Sequence, residues 1–402
     1  SLSGSIPPEL GTSLPSLESL VLFSNKLSGS VPFTLGRLRN LTIFRAGANM
    51  LSGTIPPHLG TCSKLQVLGL AQNSLQGEIP KELGHLKQLV SLALWQNNLI
   101  GHIPRQLGNC SLLQLLALYN NGLSGPIPAD LGQLQFMKKL YLYKNRLNGS
   151  IPRELGNYSY IEEIDISENE IGGLIPRELG SLRTLELLHL FENYFTGSMS
   201  FVGNMTCLEQ LDLSINKLSG VIPQSLQYLT HLKFVRFFDN KLDGLIPPLL
   251  GEYSNLTVFD ASVNRLMGSI PYNICKNKML ESLHLWSNYL IGSIPNGVKN
   301  CFSLSQLSLA QNKLMGGLPP ELGELPKLGY LDLSMNFFSG KIPAEFGNST
   351  TLQGLILSDN RLRGTLPDEF GRLSRLAILD VSGNELEGEI PPRILVNCTN
   401  LF

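Results

Sequence analysis

Leu65-Gln66-Val67-Leu68-Gly69-Leu70-Ala71-Gln72-Asn73-Ser74-Leu75-Gln76-Gly77-Glu78-Ile79-Pro80 decides how this chain folds, because the pattern keeps returning. Its Asn recurs at 25, 49, 73, 97, 121, 145, 169, 193, 216, 240, 264, 288, 312, 336, 360 and 384, in steps of 24 residues except the 23 from Asn193 to Asn216. Counted from that Asn, apolar residues fall at −8, −5, −3, +2, +6, +10 and usually +13. Positions −5 and −3 alternate with polar or small residues, the pattern of a short strand with one face inward. Stacking coil on coil sets neighbouring strands ~4.8 Å apart and lines a concave face with a parallel sheet. The Asn stands at the turn after the strand. Its amide carries donors and an acceptor for backbone groups that the turning chain leaves unpaired, so all sixteen are read as structural. Gly at +4 occurs in every coil and suits a tight turn. Pro at +7 fixes φ on the convex side and cannot donate to a ladder.

A fixed repeat of this length and pattern is the leucine-rich-repeat signature. A chain of 402 residues would ordinarily suggest two or three domains. Here one α/β solenoid of about sixteen 24-residue repeats, superhelical and with its sheet on the concave face, is expected over 1–402. Each repeat touches only its neighbours, so length does not limit the core. The chain starts inside a repeat, at Ser1-Leu2-Ser3-Gly4-Ser5-Ile6-Pro7, and stops at the start of another, at Asn397-Cys398-Thr399-Asn400-Leu401-Phe402. Neither end carries the polar or disulfide-stapled cap that a solenoid needs, so a segment of a longer protein is expected. The coil at Gly197-Ser198-Met199-Ser200-Phe201 lacks its Ile-Pro pair, and reads as either a distorted convex loop or a harmless one-residue deletion.

The net charge of −1 argues against a nucleic-acid partner held by bulk charge. No apolar run approaches the ~20 residues of a membrane span and no signal peptide is seen; membrane attachment is expected only through a segment outside this chain. Asn-x-Ser/Thr sequons stand at Asn40, Asn109, Asn148, Asn157, Asn204, Asn255, Asn348 and Asn397, mostly at one convex-side position. Their number favours a secreted, glycosylated surface, although chance occurrence stays open for any one of them. Cys62, Cys110 and Cys301 take the +13 position and Cys398 the one after it, where a cysteine serves as a small buried hydrophobe. Cys62 and Cys110 lie two coils apart, roughly 10 Å by strand spacing, too far for a disulfide. Cys275 and Cys301, in adjacent coils at nearly the same offset, are the expected disulfide. Nothing suggests a metal or a cofactor. No nucleophile stands near the scattered histidines, and no phosphate loop or kinase motif is present, so this chain is not expected to be an enzyme.

Function is therefore sought at strand positions −7, −6, −4, −2 and −1, which face the concave side. Trp95, Tyr119 and Tyr143 occupy −2 in three successive coils. Such a stripe marks an interaction site, unless the rings pack on one another to stiffen the sheet. Just before it the residues are small: Gly47, Ala48, Gly69, Ala71 and Ala93. A hollow is expected there, rimmed by Arg45, with Gln72 nearby and Trp95 as the far wall. A guanidinium beside such a hollow suits a planar ring carrying an anion, in a contact worth roughly 1.5–3 kcal/mol; the other reading of Arg45 is a salt bridge to a neighbour. Farther along, the face turns acidic at Glu162, Glu163, Asp165, Glu168, Glu186, Glu192 and Asp212, with the concave His189 and Phe191 among them. It then shows Lys233, Phe234, Arg236 and Phe238, and next Glu281, His284 and Trp286. These could read charges along a linear ligand or simply form a solvated face. Asp recurring at −4 belongs to a common repeat variant and is given no functional weight.

The LxxLxLxxNxLxGxIPxxLG consensus with convex-side Ile-Pro resembles the plant-specific repeat class over essentially the whole chain, and in particular the extracellular part of plant receptor kinases for peptide hormones. On Phe44-Arg45-Ala46-Gly47-Ala48-Asn49-Met50, Leu68-Gly69-Leu70-Ala71-Gln72-Asn73 and Ile164-Asp165-Ile166-Ser167-Glu168-Asn169, it resembles receptors for PSY-type tyrosine-sulfated peptides. Related receptors carry an Arg-x-Gly-Gly motif for sulfotyrosine; here Arg45-Ala46-Gly47-Ala48 matches except that Ala48 replaces the second Gly. The Arg-x-Arg pair that similar receptors present at −6 and −4 is half missing, with Phe234 and Arg236 in its place.

The resemblance implies a small secreted peptide, sulfated on tyrosine, lying extended on the concave face. Arg45 and the hollow would take the sulfated ring and the aromatic stripe the residues that follow. It also implies a SERK-type co-receptor kinase near the C-terminal coils, a kinase domain outside this chain, and a place on the extracellular face of the plasma membrane. Two other readings are a secreted repeat protein that inhibits a microbial wall-degrading enzyme, which would be complete at about ten capped repeats, and a receptor-like protein without a kinase.

Overall fold

The computed structural model describes residues 1–397 of the chain, with side chains through Ile394; Cys398 lies outside the described residues. The chain forms two compact units, Ser1–Gly197 with Asn204–Leu208, and Ser198–Gly203 with the chain from Glu209 on. Both are built from the same coil. In the first, parallel three-residue strands run from Ser19–Val21 through Ile43–Arg45 and Val67–Gly69 to Leu187–His189. In the second, the series runs from Gln210–Asp212 to Ile378–Asp380.

The register pairs each consensus position with its counterpart 24 residues on, as Phe44 with Leu68 and Leu68 with Leu92. Identical positions thus form continuous ladders. The −5 and −3 side chains are buried in the coils from Asn49 to Asn360, while Leu22, Leu379 and Val381 in the terminal coils are half-buried; burial of a Leu stabilises by roughly 1.5–3 kcal/mol. After the Asn a second strand forms, as Ser74–Glu78 or Lys313–Gly316, and the convex return is a short 3-10 helix such as Lys81–His85. The +4 glycines, within or at the end of that second strand, take a positive φ, as Gly53 at 73° and Gly77 at 77°. In the coil without Ile-Pro, Met199 and Phe201 are buried and a 3-10 helix still forms at Ser200–Asn204.

The Asn ladder accounts for the turn. Asn73 donates its amide to the carbonyls of Ala46, Leu70 and Ala71 at 3.0–3.2 Å and accepts the N–H of Leu51 at 2.9 Å. One side chain therefore ties its own turn to the preceding coil. The residue just before each Asn takes a left-handed backbone, including Ala48 at φ 52°, Gln72 at 54° and the β-branched Val263 at 53°. The composition of this position gives no sign of that conformation, since the Asn bonds hold whatever residue is there.

The Leu-Gly pair of the convex helix has a packing cause. A Cβ built on Gly84 would stand 2.3 Å from the carbonyl oxygen of Gln106 in the next coil. Only glycine lets successive 3-10 helices approach this closely. Gly84→Ala is expected to destabilise the first unit by about 2 kcal/mol or more through overpacking, read as a lowered denaturant midpoint; an unchanged midpoint would contradict the close-approach argument.

The structure joins Cys275 to Cys301, with Cα atoms 5.0 Å apart. Between Pro247 and Lys278 the convex segments form turns in place of 3-10 helices. There Glu252 accepts from Asn273 and Lys276, and Asn277 donates to the carbonyls of Gly251, Glu252 and Ser254. The disulfide and this side-chain network take over what helix stacking does elsewhere. Cys62 and Cys110 are buried thiols facing the carbonyls of Leu35 and Leu83 at 3.4 Å, and burial pushes each up to about 11. Of the sequon residues, Asn109, Asn148, Asn157, Asn204, Asn255 and Asn348 are exposed and Asn40 half-buried, while the Asn397 side chain lies outside the described ones.

Candidate ligand-binding surface

On the first unit, strand positions bring Arg45, Gly47, Gly69 and Ala71 onto adjacent coils. Arg45 is exposed and its guanidinium makes no ion pair or hydrogen bond. The hollow expected beside it is narrower than the missing side chains suggest. The Phe23 ring lies over Gly47, 3.3 Å from where a Cβ would stand, and the stem of Arg45 leans over Gly69 at 3.5 Å. Which way a side chain leans between coils is not written in a consensus, so Phe23 was missed. Gln72 donates to Gln96 at 3.3 Å.

The stripe is a stack. Trp95 and Tyr119 lie 5.0 Å apart at 8°, Tyr119 and Tyr143 4.3 Å apart at 10°, and Tyr141 meets Tyr119 edge-on at 6.4 Å. The rings stay half-buried, so their mutual packing leaves a continuous aromatic surface open to solvent. Burial raises Tyr143, and the neighbouring Tyr119 hydroxyl adds to that rise. Tyr141, which the column-by-column reading passed over, donates its hydroxyl to Glu163.

Most acids of the adjoining coil are committed to lysines 24 residues earlier. Glu162 pairs with Lys138 at 3.6 Å, Glu163 with Lys139 at 2.6 Å and Glu168 with Lys144 at 3.5 Å. Exposed pairs of this kind each contribute about 0–1 kcal/mol. Burial works to raise Glu163, but the Lys139 ammonium and Tyr141 hydroxyl outweigh it and hold the carboxyl below its ordinary value. The recurrent Asp at −4 caps its own strand: Asp165 accepts the N–H of Ser167 at 3.1 Å and its hydroxyl at 2.6 Å. His189 stands 3.6 Å from Asp165 and edge-on to Phe191 at 6.1 Å.

On the second unit, Arg236 lies over the Phe234 ring at 4.5 Å, so the residues standing in the Arg-x-Arg positions are stacked on each other. Phe238 and Trp286 approach to 6.1 Å across the coil that carries the fully buried Ser262. Arg45 to Tyr143 lie on one unit, and Arg236, Phe238 and Trp286 on the other. Among the described residues no cluster could hold a metal ion and no helix is long and apolar enough to cross a membrane.

The family described as "Leucine-rich repeat region" matches residues 106–335, and "Leucine Rich Repeat" matches 16–38, 64–86, 327–349 and 351–373. The chain belongs to the leucine-rich-repeat family. No match was found among curated proteins. Similar solved structures include ectodomains of plant receptor kinases. The Arabidopsis thaliana receptor GASSHO1/SCHENGEN3, in complex with CASPARIAN STRIP INTEGRITY FACTOR 2, is 35% identical with a TM-score of 0.95, over 100% of this chain and 48% of that one. Arabidopsis HAESA, with the peptide hormone IDA and the co-receptor SERK1, is 37% identical with a TM-score of 0.95, over 100% of this chain and 67% of that one. The plant peptide hormone receptor RGFR1, with RGF2, is 34% identical with a TM-score of 0.76, over 99% and 79%. The chain thus spans about half of the first and two thirds of the second.

Proposed function

We infer that this chain is the ligand-binding extracellular part of a plant receptor kinase, that it takes an extended secreted peptide on the strand face of its first unit, and that it is not itself catalytic. The observation that carries the site is the open aromatic stack of Trp95, Tyr119 and Tyr143 two coils beyond an unpaired Arg45. Stacked rings hold their own geometry, so little ordering entropy is lost when a peptide lies on them. A tyrosine-sulfated peptide of the PSY type fits best: Arg45 would hold the sulfate and the small residues would admit the ring. Signalling would go through a SERK-type co-receptor and a kinase outside this chain, at the plasma membrane. The HAESA complex with IDA and SERK1 is the precedent that supports this.

Tyr119→Ala tests whether the stack binds or only stiffens. It is expected to weaken binding of a synthetic tyrosine-sulfated peptide at least ten-fold, as aromatic anchors do, while loss of two stacked contacts costs about 1–3 kcal/mol of stability. Unchanged affinity with a lowered melting temperature would make the stack purely structural.

A further inference from the structure

The strand face of the second unit holds a cleft of about 1020 Å³ that the peptide reading does not use. Trp286 forms one wall, with Phe238 near it at 6.1 Å. Beyond Trp286 the −2 column becomes small: Ala310, Ser334 and Ser358, all buried. This leaves a trench along the aromatic wall. At the other side of the face, Lys327 and Arg375 stand at −9 two coils apart, roughly 10 Å by strand spacing. The side chains of Gln306, Gln311, Gln353, Lys327 and Arg375 are exposed and make no hydrogen bond or ion pair. That contrasts with Lys138, Lys139 and Lys144 of the first unit, which are paired with glutamates.

We propose that this cleft binds an acidic oligosaccharide. A sugar ring presents axial C–H bonds to a flat aromatic face, which the half-buried Trp286 supplies. Its hydroxyls need partners that both donate and accept, which the three glutamine amides are. Its carboxylates suit the two free cations, for which charge-assisted bonds are the strong ones. Seven residues separate −9 from −2, a span on the order of 20 Å at ~3.3 Å per residue, which calls for several linked rings. A peptide is disfavoured here. The paired strands under the cleft have no free edge to extend. The sugar could come from a polysaccharide fragment or from a glycan on a polypeptide. The proposal rests on the second unit alone and is independent of peptide binding by the first.

The test is calorimetry on the full chain with tetragalacturonate, its methyl ester, a peptide O-linked to a uronate disaccharide, and a tetraglutamate peptide. Tetragalacturonate or the glycopeptide is expected to bind, and the tighter of the two identifies the source. The ester should bind at least ten-fold more weakly than the acid. Trp286→Ala should lose ten-fold or more in affinity. Lys327→Ala with Arg375→Ala, both exposed and safe for folding, should make acid and ester equivalent. No binding of either saccharide, equal binding of acid and ester by the unaltered chain, or equally tight competing binding by tetraglutamate would overturn the proposal.

Discussion

Replacing Asn288 by alanine is expected to cost about 3 kcal/mol or more, from several neutral hydrogen bonds and one orphaned buried donor. The Asn288 amide donates to the carbonyls of Ala261, Leu285 and Trp286 at 3.0–3.3 Å and accepts the Leu266 N–H at 2.9 Å. The three carbonyls keep other donors, from Asn264, Asn312 and Val263 respectively. The Leu266 N–H has no substitute, so it carries the largest share of the loss. Asn288→Asp keeps that acceptor but turns an oxygen toward three carbonyls, and should be at least as harmful, more so above the ordinary carboxylate range where it must hold a charge. Because each coil touches only its neighbours, the damage should be local. Hydrogen exchange should speed up around Leu266 and stay unchanged in the coil of Asn73. A loss below about 1 kcal/mol would mean that the ladder is a consequence of the turn and not its cause.

The second large effect is at the disulfide. Cys275→Ala with Cys301→Ala opens a loop of 26 residues, worth about 3.5 kcal/mol in the chain-entropy account. The loss should fall on the second unit, where turns and the Glu252 network replace stacked 3-10 helices. Reductant should reproduce it in the unaltered chain and do nothing further to the double variant. Cys62 and Cys110 should stay unreactive throughout, since their thiols are buried and raised to about 11. An unaltered chain indifferent to reductant would contradict the assignment.

Much of this is legible in the sequence because sixteen copies of one coil repeat the same physical demands. The alternation at −5 and −3 gives the strands, the Asn gives the turn, and adjacent offsets give Cys275 and Cys301. Two features are not legible. Val263 and Ile215 take a left-handed backbone that their side chains disfavour, because hydrogen bonds on either side impose it. The lean of Phe23 over Gly47 and of Arg45 over Gly69 depends on contacts between coils. The candidate site was read one column at a time. That found the −2 aromatics but missed Tyr141 at −4, and missed the cleft beside Trp286, whose lining runs obliquely across five coils.

The most direct measurement is calorimetric titration of this chain with two peptides that differ only in sulfation of one tyrosine, beside the Arg45→Ala variant. The sulfated form is expected to bind at least ten-fold more tightly, about 1.4 kcal/mol, with the preference lost in the variant. Equal affinity for the two forms, or a preference that survives Arg45→Ala, would contradict the assignment of Arg45 as the anion-holding residue of a sulfated-peptide receptor.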